Sequence, residues 1–576
     1  MKKKALALSV LAAISSQAGA FQLDTGSDWN IRWDNTIKGN LQARTDASKR
    51  SVVDPSVYPN ARIADDGDYS VNRKKGGISS ARLDLRTELD VVWKRDFGFR
   101  VSAAGWYDAA YENSDNPKSG TLPSSGGQAY DYSWAGLTYA PGDYSNEAED
   151  LHLLGGELLD AFVFVNWNIG STALGVRAGR HTIYWGQSLL ANGAITGIAG
   201  SMTALDSAKG LSVPGTEAQE LFLPSTKIST VFQATDNLTF NAYYEFEHRV
   251  NRNPETGTYW SPVEVLTENS ECFVLFAGTA TTPRTCFKVK DNKVQDSGEY
   301  GFNIQYTIDA LNLETSLVYI NGSDRTVAGV YGTFGGVDAD IVAKYAQPWD
   351  QGGANAIIAG EWGWVYKKDV ETFGISLAKE MFDISFGMDI AYRKNAGLNP
   401  NFTASLLGHP GETPADFSPG NYPGATGDII GVVVNGLGFL NGDWGLWDGG
   451  TWILEYSTSW LDDYGKNPQF ANERIHKGRV TSQVAAVFRP TWFQVFPGWD
   501  MTLPMSVSYG IDGEQPPQGT VTHEELGNAS IGVAFKIDEA WDVEARYSAY
   551  FGPTDNGTTG PLNDRDNVSF TIKRTF

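Results

Sequence analysis

The chain is 576 residues long, and its 45 basic against 68 acidic side chains give a formal charge of -23, which excludes a nucleic-acid partner because phosphate binding needs a basic face. A hydrophobic content of 41% excludes a disordered chain, and 20% charged residues exclude a bundle of membrane helices. The 63 Gly, 18 Trp, 25 Tyr and 28 Phe are instead a β-protein mixture.

The N-terminus reads as an export signal over residues 1–20. Lys2, Lys3 and Lys4 form a positive region, Ala5 to Ile14 an apolar region, and Ala18-Gly19-Ala20 a cleavage site, so the mature chain is expected to run 21–576 as one domain. Beyond it no run is long and apolar enough for a spanning helix, which leaves an exported soluble protein or a membrane barrel. Cys272 and Cys286 are the two cysteines and are read as one disulfide in an oxidising compartment. With six scattered histidines, neither a metal site nor a cofactor is expected.

From Trp29 the chain alternates. Trp29, Ile31, Trp33, Ile37 and Leu41 share one parity, while Arg32, Asp34, Lys38, Asn40, Gln42 and Arg44 share the other, which is a strand with one apolar and one wet face. The pattern returns at 81–94 and 97–107, then in hairpins at 159–169 with 174–184, 226–234 with 238–249, 299–309 with 311–320 and 370–379 with 382–393. It continues at 451–460, 479–488 with 500–510, 529–537 with 541–551, and in the last strand through Val568, Phe570, Ile572 and Phe576. Runs of 9 to 17 residues exceed the usual globular strand of about five or six and match the roughly 9 to 11 needed to cross a bilayer at a tilt.

Short turns alternate with long Gly-, Asn-, Asp- and Pro-rich connections such as 45–77, 112–157 and 250–297. These strands number seventeen, an odd count that cannot bring both ends to one rim; the apolar run Asp428 to Asn435 supplies the missing strand. The expected fold is therefore all-β: a transmembrane antiparallel β-barrel of about 18 strands, or 16 if one weak run is loop, with short periplasmic turns and long extracellular loops. Aromatics near strand ends, at Trp29, Trp33, Trp93, Phe97, Trp167, Trp460 and Trp541, fit interface girdles, so the apolar parity is expected to face lipid. Phe576 fits the terminal aromatic by which such barrels meet their assembly machinery, whereas Arg574, on the lipid parity, has to snorkel to the interface.

The segments Ile78 to Asp90, Gly98 to Asp108, Glu157 to Ala161, Gly179 to Gly186 and Val213 to Glu217 resemble the proteobacterial outer-membrane family called domain of unknown function 1302. The resemblance implies an outer-membrane barrel over nearly the whole mature chain, encoded near resistance-nodulation-division exporters and in loci for breakdown of hydrophobic compounds. It supplies no catalytic residues.

Two constellations are candidates for function. Arg82, Asp84, Arg86, Glu88 and Asp90 share one strand face, with Arg100 opposite and Arg177 further round; they are expected to line the pore, or to form a salt-bridge ladder in its wall. The connection 186–225, preceded by Arg180, His181, Tyr184 and Trp185, is apolar where the other connections are polar, and is read as a lumen-inserted constriction or plug, or else as an ordered outer loop. The six histidines sit in unrelated contexts without a nucleophile elbow, so an enzyme is not expected. The expected function is an outer-membrane channel or transporter for small hydrophobic or aromatic molecules, with a non-transporting receptor or docking protein for an exporter as the alternative. Lipid, lipopolysaccharide, the barrel-assembly machinery and a resistance-nodulation-division exporter are the expected partners.

Overall fold

The computed structural model describes residues 21–24, 28–53, 75–112, 146–216, 218–255, 258–261, 273–276, 284–289, 297–326, 329–334, 356–399, 422, 424–472, 478–513, 517, 523–554 and 560–576. Residues 1–20 and Cys272 lie outside them, as does the side chain of Cys286, so the export signal and the disulfide fall outside the described residues.

Eighteen antiparallel strands close into a ring. The first nine are β1 (Trp29–Arg44), β2 (Ile78–Trp93), β3 (Phe97–Asp108), β4 (Leu154–Ile169), β5 (Thr172–His181), β6 (Ser225–Gln233), β7 (Leu238–Glu245), β8 (Glu299–Ile308) and β9 (Leu313–Gly322). The second half is β10 (Val370–Met381), β11 (Ile384–Gly397), β12 (Thr426–Phe439), β13 (Gly449–Tyr464), β14 (Val480–Phe496), β15 (Trp499–Thr502 and Met505–Asp512, interrupted at Leu503-Pro504), β16 (Gly527–Ile537), β17 (Trp541–Phe551) and β18 (Asn567–Thr575). Thr36 to Arg44 of β1 pair with Thr575 to Asn567 of β18, which leaves no open edge. The Asp428 to Asn435 run sits inside β12, the strand that makes the count even.

Turns set the rims. Lys94 and Arg95, Phe382 and Asp383, and Asp538 and Glu539 all adopt positive φ, as tight hairpins between right-twisted strands require. These turns share one rim with the start of β1 and the end of β18; the long connections share the other. Four short strands within two long connections, Phe273–Phe276, Arg284–Val289, Gly329–Phe334 and Ala356–Val365, form a separate sheet.

The burial pattern is the reverse of a soluble protein's. In β1, Trp33 and Leu41 are each 48% exposed, whereas Lys38 is 4% and Arg44 is 1% exposed. The same inversion recurs at Val163, Phe302, Leu317, Leu454, Ile531 and Phe570, all exposed on the outer parity. An apolar outside around a polar inside is stable only with lipid around it, so the chain is a membrane-spanning barrel of the outer-membrane type. At the short-turn rim Trp29, Trp93 and Phe97 cluster with ring centroids 5.8 and 5.1 Å apart, the start of an aromatic girdle. Arg574 is on the outer face as its parity demands, and its guanidinium carbon lies 4.8 Å over the Trp541 ring.

Candidate functional site in the barrel interior

The connection between β5 and β6, residues 182–224, leaves the long-loop rim and meets the inward parity of strands around most of the ring. It carries short helices α1 (Ala191–Thr196), α2 (Ser207–Ser212) and α3 (Ala218–Leu221). Four successive backbone N–H groups meet two wall carboxylates: Gln187 donates to Asp389 of β11 at 2.8 Å and Ser188 at 3.2 Å, while Leu189 and Leu190 donate to Glu455 of β13 at 2.7 and 3.2 Å. Asn192 reaches Gln483 of β14 and Ser508 of β15. Lys38 of β1 bonds Glu220 of α3, and Gly215 packs on Thr571 of β18. A segment that touches one face of β1, β11, β13, β14, β15 and β18 in a closed ring lies within it. Its approach is close: a Cβ on Gly431 would stand 2.2 Å from the Thr196 carbonyl oxygen, and one on Gly193 2.1 Å from Glu455 Oε1.

Apolar packing fixes the near side. Trp185, Ile198 and Met202 join Tyr243, Val318, Ile320 and Ala391 from β7, β9 and β11 in one buried cluster. Trp185 meets Tyr243 edge to face with centroids 5.3 Å apart. Tyr184 packs on Phe222, and its hydroxyl bonds Ser188; burial pushes that phenol up to about 12. His181 Nδ1 donates to the Gly179 carbonyl, and its Nε2 lies 2.8 Å from Ser229 Oγ. Arg180 turns to Glu247 at 3.3 Å. These four residues are not gathered around one opening: Trp185 packs the start of the inner segment on the wall, Tyr184 ties the segment to itself, and Arg180 and His181 bond outside it.

The charged face forms close pairs. Arg82 bonds Asp84 at 2.9 Å, Arg86 bonds Glu88 at 2.9 Å, and Arg100 holds Asp90 through two bonds of 2.6 and 2.8 Å. Arg82 also lies over Trp106, and Arg177 over Phe162. Between this wall and α2 is a cavity of about 220 Å³ lined by Arg82, Asp84, Arg86 and Glu88. Asp90, Arg100 and Arg177 do not border it. The inner segment answers in kind. Glu220 receives Lys38 at 3.2 Å and Lys209 at 2.9 Å; burial pushes its carboxyl up, but the two ammonium groups outweigh that and hold it at about 2.

Sequence reasoning missed the residues that organise this cavity's upper end. Arg252 bridges Glu157 at 2.7 Å and Asp206 at 2.7 Å. Buried His152 accepts the Glu255 N–H; burial, aided by Arg82 and Arg252, drives its pKa down to about 3. Glu245, His248 and Glu299 bring three potential metal ligands within 4.8 Å of one another. Arg325 reaches both carboxylates there, at 3.2 and 2.6 Å, and Lys227 lies 3.3 Å from Glu245. With two cations already seated, this is an ion-pair knot and not a cation site.

A family model described as "Protein of unknown function (DUF1302)" matches residues 1–576. No curated protein matches the chain by sequence. Among solved structures, OccAB4 of Acinetobacter baumannii is similar at 9% identity and a TM-score of 0.41, over 95% of this chain and 98% of that one. A BenF-like porin from Pseudomonas fluorescens Pf-5 is similar at 8% identity and a TM-score of 0.41, over 96% and 100%. Pseudomonas aeruginosa OpdK with vanillate is similar at 8% identity and a TM-score of 0.38, over 95% and 98%.

Proposed function

We propose that this chain, which belongs to the family described as protein of unknown function DUF1302, is an outer-membrane channel for small hydrophobic or aromatic molecules, exported by cleavage after Ala20. The observation that carries the reading is the charged cavity between the β1–β3 wall and the inner segment. An inside-out ring of eighteen strands is wide enough for an aqueous lumen, and here a cavity in it is lined by balanced charge beside a fixed internal obstacle. In this reading residues 186–225 are the constriction, narrowing the lumen from within, while Arg82, Asp84, Arg86, Glu88, Asp90, Arg100 and Arg177 set the transverse field of the pore wall.

Paired charges keep a passage wet without giving it a strong sign, which suits solutes that are themselves uncharged. No catalytic role is assigned to any residue. Lipopolysaccharide around the long loops, the assembly machinery at Phe576 and a resistance-nodulation-division exporter are the proposed partners.

Liposome swelling with graded neutral solutes tests the reading, together with single-channel conductance of a variant lacking residues 188–222. Swelling with small sugars and a several-fold higher conductance in the deletion support a constricted channel. A barrel impermeable to every solute points to a receptor or docking role, and unchanged conductance in the deletion removes the constriction.

A further inference from the structure

The inner segment has a second cavity on its other side, of about 270 Å³, and its lining contrasts with the charged one. Ile195, Leu205, Leu211 and Leu221 of the segment face Leu526 and Leu562 of the β15–β16 and β17–β18 connections. Tyr550 and Asn528, with Ser508, Gly527 and Phe551, line it from the wall, the first two at the long-loop ends of β17 and β16. The six-residue α2 is the partition: Ala208, Lys209 and Ser212 line the charged cavity, while Ser207, Gly210 and Leu211 line this one.

We propose that this apolar cavity is a binding site for the uncharged aromatic or alkyl group of a small molecule, taken up at the long-loop side of the lumen; it rests on the channel reading and names the ligand chemistry. Its volume exceeds the roughly 150 Å³ of an apolar cavity that takes up benzene, so one or two rings or a short alkyl chain fit. Aliphatic and aromatic side chains with few polar groups are the usual make-up of such sites. Asn528, solvent-exposed in its strand, offers one amide to orient a hydroxyl or carbonyl.

Charge excludes an anionic head group. Among the described lining residues the sole charged side chain is Asp206, and its carboxylate is committed to the Lys209 N–H at 2.8 Å and to Arg252 at 2.7 Å. A carboxylate or sulfonate would lose its water here and meet no lysine or arginine. A neutral ring meets leucine and tyrosine.

The test is photolabelling of the full chain in lipid vesicles with a neutral aryl diazirine bearing a benzyl alcohol, followed by peptide mapping. Labelling of residues 205–211 and 526–528, competed by excess benzyl alcohol and at least tenfold weaker with the carboxylate analogue, supports the site. Leu211→Phe fills the cavity from the segment and Asn528→Phe from the wall; each lowers that labelling at least tenfold, and if the first fails to fold the second decides. Label confined to the lipid-facing strands, or equal labelling by the carboxylate, overturns the site. Labelling needs no flux, so a labelled but impermeable barrel keeps the site and removes the channel, and a permeable but unlabelled barrel does the opposite.

Discussion

Replacing Asp389 and Glu455 by Ala is expected to release the inner segment from the far wall. Between them the two carboxylates accept four backbone N–H groups, from Gln187 to Leu190, at 2.7 to 3.2 Å. A hydrogen bond to a charged group contributes about 1.5–3 kcal/mol, so the four amount to about 6–12 kcal/mol gross. The four donors share two carboxylates and do not add independently, so about half of that sum, roughly 3–6 kcal/mol, is lost, or about a 150- to 25,000-fold rise in the detached population. Lys209 is the one Lys or Arg between residues 182 and 224, so trypsin reports detachment by a single internal cut. The double variant is expected to be cut at Lys209 while its strands stay protected, and to conduct at a higher and noisier level than the parent. Ser376, which bonds Asp389 at 2.6 Å, gives a control: Ser376→Ala leaves both carboxylates in place and should behave as the parent does. A double variant as resistant to trypsin as the parent, with the same conductance, would refute the reasoning.

Gly431→Ala places a Cβ against the Thr196 carbonyl and is expected to displace α1 at a cost of about 1–3 kcal/mol, read as a lower unfolding midpoint in urea and an altered conductance. Arg252→Ala strands Glu157 and Asp206, costs about 3 kcal/mol and lowers the melting temperature; an unchanged melting temperature counts against the bridge. The triple change Arg82→Gln, Arg86→Gln and Arg100→Gln leaves Asp84, Glu88 and Asp90 without their cations and should shift the reversal potential toward cation selectivity, whereas an unmoved potential removes these residues from the ion path. His152 is neutral in the fold down to about pH 3 but takes a proton near 6.5 when unfolded, so stability declines by about 1.4 kcal/mol per unit as pH falls below 6.5. Glu220 behaves differently: its folded pKa of about 2 lies below the ordinary 4.5, so its contribution is complete above 4.5 and is lost as pH falls toward 2. In His152→Gln the decline between pH 6.5 and 4.5 should flatten in urea titrations; a slope as steep as the parent's shows that other groups cause it.

The ring was legible because lipid outside and water inside force a period of two on every spanning strand. The weakest strand shows where that rule fails. In β12, Gly431 and Val433 face inward yet touch Thr196 and Gly197 of the inner segment instead of water, so no polar parity develops and the run reads as merely apolar. The apolar composition of 186–225 set that connection apart from the others, but its moorings did not show. Asp389 and Glu455 are single acids on ordinary alternating strands, and their partners are backbone N–H groups, which carry no sequence signal. Arg252 and His152 were hidden for a related reason: each lies in a long connection, and its meaning depends on residues brought together only by closure of the ring. The charged wall was visible because its members are two residues apart on one strand, a spacing that survives in the sequence.

The moorings of the inner segment also carry a timetable. It is synthesised near residue 200, but it depends on Asp389, Glu455 and Gln483, and at its far end packs on Thr571 of the closing strand. The Asn40 to Thr571 bond across the closing seam spans 531 residues of sequence, so the ring is completed last, and for most of the chain's translocation the segment travels without its acceptors. Its leucines and bare N–H groups are then exposed in an unfinished barrel and open to aggregation. Insertion must therefore either carry the segment inward before β1 meets β18 or admit it afterwards through the long-loop rim, and the first order makes the segment a former on which the wall is wound.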